Sequence, residues 1–135
     1  MSEIVIFDTS VLMDHLRSGR YRRVFADVRG AVRMSSVVLA ELWGGASSLL
    51  DINCLELLGK IFPVLTPTGT DWQESGRLLA MIGSDKRLEA AQVRDLHFDL
   101  LIALTARAHG AKLITSNRVN FELIRGYRDF GLEVW

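Results

Sequence analysis

The chain has 135 residues, of which 49% are hydrophobic and 24% charged, a balance that fits a single globular domain over 1–135. Sixteen basic residues cancel sixteen acidic ones, so the strongly basic balance of a passive nucleic-acid binder is absent. The single cysteine, Cys54, excludes an internal disulfide and a cysteine-cluster zinc site and reads as core filler.

Ile4-Val5-Ile6-Phe7 is a short, β-branched and aromatic run that predicts a buried strand. Asp8 follows at once. Thr9 and Ser10 then open a helix whose apolar positions are Val11, Leu12 and Leu16, with Gly19 as its stop. A carboxylate between strand and helix either caps the helix or lies in the crevice where open parallel sheets bind ligands. Taken alone, capping is the commoner role. Thirteen of the sixteen cations are Arg, and four fall between Arg17 and Arg23. Arg20, Arg22 and Arg23 can either grip a phosphate backbone or form a solvated helix-turn surface.

Tyr21 to Val28 predicts a short helix, Ala31 to Met34 a weak strand, and Val37 to Leu50 a helix carrying Glu41 on its second turn. Trp43 is expected in the core, and Gly44-Gly45 is expected to bend the helix before a further one over Asp51 to Ile61. Phe62 to Leu65 reads as a strand. Thr70-Asp71-Trp72-Gln73 reads as a capping box opening a helix with Trp72, Leu78, Leu79 and Ile82 inward. Gly83 to Gln92 reads as a surface connection.

From Asp95 to His109 the pattern is apolar almost all round, which predicts a helix buried on most sides. Asp99 is embedded in it. A carboxylate left unpaired there costs several kcal/mol, so it needs a cation, a metal or an opening to solvent. Ala111 to Thr115 and Leu132 to Trp135 complete the strands, and Ser116-Asn117 starts a short helix through Ile124. Strands alternating with helices imply α/β architecture, a parallel central sheet between two helical layers. Asp8, Glu41 and Asp99, if brought together, form an acidic cluster that favours a hard divalent cation, magnesium or manganese. No apolar run approaches the roughly 18 residues of a membrane span. MSEIVIFD carries no basic segment or cleavage site of a secretory signal, so a soluble, cytoplasmic protein is expected.

FDTSVLMDHL, SSVVLAELWGG, FDLLIALTARAHGAKLITSN and Asn120-Phe121-x-Leu123-Ile124, in that order, resemble the four signature blocks of PIN domains, in particular the small VapC-like toxin ribonucleases. The resemblance spans nearly the whole chain. It implies a three-layer α/β/α fold and an Mg2+- or Mn2+-dependent endoribonuclease whose catalytic, metal-binding acids are Asp8, Glu41 and Asp99, with Ser10 supporting the first by hydrogen bonding. It also implies an RNA substrate, a homodimer, and a small antitoxin that covers the active site. Where the family commonly places a fourth acid, this chain has Asn117 and Asn120. Asn117 offers the metal a carbonyl oxygen without charge, hence a weaker ligand, and Asn120 a supporting one. A PIN fold with weakened metal affinity, binding RNA or protein without cutting, is the alternative.

Overall fold

The structure, a computed structural model, describes residues 3–135. Its strands are β1 (Ile4–Phe7), β2 (Ala31–Ser35), β3 (Val64–Leu65), β4 (Lys112–Thr115) and β5 (Gly131–Val134). All pair in parallel, in the order β3-β2-β1-β4-β5. The described helices are α1 (Thr9–Ser18), α2 (Arg22–Asp27), α3 (Ser36–Gly44), α4 (Leu49–Ile61), α5 (Gly69–Lys86), α6 (Ala90–Ala108) and α7 (Arg118–Arg125). This is the expected three-layer α/β/α arrangement, in which crossover helices cover both faces of a parallel sheet. None of these helices is long and apolar enough to cross a membrane.

β1 and β4 form the centre of the sheet, and Val5, Ile6 and Leu113 are fully buried there. Both faces are covered, which is why these strands read as continuous apolar runs rather than alternating ones. α6 supplies the thickest part of the core: Leu100, Leu101 and Ile102 are all fully buried. Gly19 ends α1 in the left-handed conformation at φ 67°, as its sequence position predicts. Gly30, at φ 121°, turns the chain into β2. A Cβ there would stand 2.3 Å from the Glu3 carbonyl oxygen, so glycine is required.

Several expectations are corrected. Val37 to Leu50 is not one helix: α3 stops at Gly44, and α4 restarts at Leu49 with Ser48 as its cap. Leu49 then faces outward. α5 opens at Gly69 through a capping box between Thr68 and Asp71, not Thr70 and Gln73. Both quartets fit the pattern, but Asp71 adds a negative charge to the first turn, where the helix dipole favours it. α5 also runs through Gly83 to Lys86, and α6 begins at Ala90, so only a short break separates them. The last turn of α5 is polar and shows no apolar period. Trp43 and Trp72, expected inside, are 41% and 49% exposed.

Candidate active site

Strand order places a chain reversal beside β1: one crossover leads from β1 to β2, and on the other side β4 leads outward to β5. The crevice at the carboxyl ends of such diverging strands is where open α/β sheets hold ligands. Asp8 follows β1 there, and its backbone N–H continues the ladder to the Ile114 carbonyl at 2.8 Å. Thr115 ends β4 beside it.

Asp8 stands at the N-cap position of α1 but makes no side-chain cap hydrogen bond. The capping role is therefore excluded. The residue is 3% exposed, and its carboxylate accepts from Ser10 Oγ at 2.7 Å and from Thr115 Oγ1 at 2.8 Å, both on Oδ2. Glu41 comes from α3 and accepts from Thr9 Oγ1 on Oε1 at 2.7 Å. Asp99, half-way along α6, accepts from Asn120 Nδ2 on Oδ2 at 2.8 Å. Each carboxylate is thus gripped by one oxygen. Asp8 Oδ1, Glu41 Oε2 and Asp99 Oδ1 take no hydrogen bond from the described residues, and no buried side-chain oxygen among those residues is left without a partner. These three oxygens must therefore reach solvent, available to an external ligand.

The acids also feel one another. The Asp99 carboxyl is pushed up to about 7, chiefly by burial, opposed by the Asn120 hydrogen bond and reinforced by the charges of Asp8, Glu41 and Asp95. Glu41 is raised chiefly by burial, opposed by the Thr9 hydroxyl and reinforced by Asp8. Such crowding of anions is what a cation would relieve. Among the described residues, however, no three His, Cys, Asp or Glu side chains stand close enough to grip one ion together without adjustment. The acids share an electrostatic neighbourhood rather than a closed cage.

The remaining candidates divide. Asn117 spends its side-chain oxygen on capping α7, accepting from Asn120 N–H at 3.3 Å. Asn120, not Asn117, touches an acid. Arg20, Arg22 and Arg23 lie beyond the far end of α1, whose 10 residues separate them from Asp8 by about 15 Å. Arg20 pairs there with Asp14 at 3.3 Å and lies over the Tyr21 ring at 5.3 Å. Two site residues escape a reading of the sequence. Thr9 carries no signal beyond following Asp8, and Thr115 reads only as the end of a strand.

The model of the PIN domain family matches residues 5–126. No curated protein matches the chain. Solved structures with a similar fold include VapBC-1 from nontypeable Haemophilus influenzae, at 24% identity, 98% coverage of each chain and a TM-score of 0.72. DNA-bound VapBC from Salmonella typhimurium aligns at 22% identity over 100% of this chain and 99% of that one, with a TM-score of 0.71. A toxin–antitoxin complex from Klebsiella pneumoniae aligns at 20% identity over 87% and 89%, with a TM-score of 0.64.

Proposed function

The chain belongs to the PIN-domain family, and from that premise we propose that it is a metal-dependent endoribonuclease, the toxin of a toxin–antitoxin pair, with Asp8, Glu41 and Asp99 as its catalytic acids. The observation that carries this reading is that three separate elements each deliver a carboxylate held by one oxygen and open at the other. Their mutual repulsion adds a motive for a cation.

The donor set fits magnesium or manganese, since all three open atoms are hard carboxylate oxygens. Asp8, Glu41 and Asp99 would hold the ion, with Asn117 a weak neutral fourth ligand at most. An ion held there would supply Lewis acidity toward a phosphodiester and toward the water that hydrolyses it. The protein's own share is orientation. Ser10 and Thr115 fix the plane of Asp8, Asn120 fixes Asp99, and the packed side of α6 keeps water from reaching the acids from behind. A raised Asp99 pKa means that near pH 7 the free site carries less than its full negative charge, which lowers repulsion until a cation arrives.

RNA is the proposed substrate, and Arg22 and Arg23, with Arg20, are proposed to touch its backbone at a distance from the acids. The likeness to VapBC and toxin–antitoxin complexes supports a small antitoxin as partner, and an Arg from that partner would suit an acidic mouth. A cytoplasmic homodimer completes the reading. Incubating the purified protein with structured RNA in manganese, magnesium or chelator tests it. Cleavage should require metal and vanish in Asp8→Asn. RNA binding without cleavage under all three conditions would favour the alternative, a PIN fold that holds RNA or protein without hydrolysing it.

A further inference from the structure

We propose that Thr9 is a positioning residue that fixes the Glu41 carboxylate for the cation. The inference rests on the metal-site reading above. Asp8, Thr9 and Ser10 are consecutive, yet their side chains serve two different acids. Ser10 turns back to Asp8 Oδ2, whereas Thr9 reaches across to Glu41 Oε1 at 2.7 Å, 32 residues away in sequence. The first turn of α1 and the second turn of α3 are thereby joined at the edge of the crevice.

Glutamate makes this hydrogen bond matter more than it would for aspartate. Its carboxylate sits at the end of a longer, three-torsion side chain, and ordering such a chain costs more rotamer entropy than ordering aspartate. Asp8 has two hydroxyl donors and little exposure, so it is fixed without help. Glu41 is only partly buried, and among the described residues the Thr9 hydroxyl is the single donor on its carboxylate. That bond selects one rotamer and leaves Oε2 open. Thr9 itself is anchored: it opens α1, whose first turn buries Val11 and Leu12. A rigid donor thus sets a flexible ligand, the arrangement in which loss of an outer partner typically costs 10- to 100-fold in metal affinity.

The test is Mn2+ binding to the purified chain, read by the loss of the free-ion electron paramagnetic resonance signal. Thr9→Val is close in shape and lacks the hydroxyl, and it should weaken Mn2+ binding by about tenfold. Thr9→Ser, which restores the donor, should bind within about twofold of the parent by the same measure. In a Glu41→Ala background, which removes the acceptor, Thr9→Val should add nothing further, because the hydroxyl acts only through the carboxylate it holds. Equal weakening by Val in both backgrounds, or no rescue by Ser, would overturn the proposal. Asp8→Asn separates the metal site from the role of Thr9. If it leaves Mn2+ binding intact, the metal site is wrong; if it abolishes binding while Thr9→Val binds like the parent, only the role of Thr9 is wrong.

Discussion

Replacing Asp99 by Asn isolates the electrostatic cost of the site from its shape. Asn keeps the side-chain volume, and its carbonyl oxygen can still accept from Asn120 Nδ2, so the packing of α6 on α7 is retained. What disappears is a charge. The Asp99 carboxyl titrates near 7 in the folded chain against an ordinary value of 3.8. A carboxyl raised in this way binds more protons folded than unfolded between those two values, so the parent protein loses stability as pH rises from about 4 to about 7. At 1.36 kcal/mol per pH unit the full shift corresponds to about 4 kcal/mol. Water around a side chain that is only partly buried reduces this to roughly 2 kcal/mol. In metal-free buffer Asp99→Asn should therefore match the parent near pH 4 and exceed it by roughly 2 kcal/mol at pH 8, a Tm gain of about 6 °C for a chain of this size. Thermal melts at pH 4, 6 and 8 in chelator measure it. A Tm difference that does not grow with pH, or a less stable variant at pH 8, would refute the reasoning that burial, reinforced by the neighbouring acids, penalises the Asp99 charge.

The other expectations concern the residues around the acids. Asn120→Asp would set a second carboxylate against Asp99 Oδ2, where the amide now donates at 2.8 Å; Tm in chelator should fall, and the Mn2+ concentration for half-maximal binding should fall as well. Asn117→Asp keeps the α7 cap and should change stability, read by thermal melts, by less than about 0.5 kcal/mol. Thr115→Val removes a donor from the buried Asp8 oxygen and should cost about 1–3 kcal/mol in urea denaturation. Arg20, Arg22 and Arg23 replaced together by Ala should flatten the salt dependence of RNA binding by about 0.7 in logarithmic slope for each phosphate no longer neutralised. An unchanged slope would assign them to a solvated surface.

The sequence exposes those parts of this molecule whose physics is local. Four consecutive apolar residues before Asp8 can only be a short buried strand in a chain of this kind, and β1 is where that run lies. The apolar surround of Asp99 likewise predicts a buried helix, and α6 buries eight residues from Leu96 to Ala106. The parts that were not legible depend on distance in sequence. Nothing in Asp8-Thr9-Ser10 says that the middle residue serves an acid 32 positions on, and the Thr115 bond to Asp8 spans 107 positions. Asn117 and Asn120 look alike as neutral replacements for an acid. Only the start of α7 separates them, since the first becomes its cap and the second, one turn later, faces α6. Trp43 and Trp72 misled for a related reason: large aromatic side chains are buried on average, yet these two lie on the outer faces of α3 and α5.

Whether Asp8, Glu41 and Asp99 form one cation site can be read from anomalous diffraction by crystals grown with Mn2+. A single strong peak should lie about 2.0–2.6 Å from Asp8 Oδ1, Glu41 Oε2 and Asp99 Oδ1, the oxygens that no described residue grips. Manganese bound elsewhere on the chain, with these three oxygens facing only water, would contradict it.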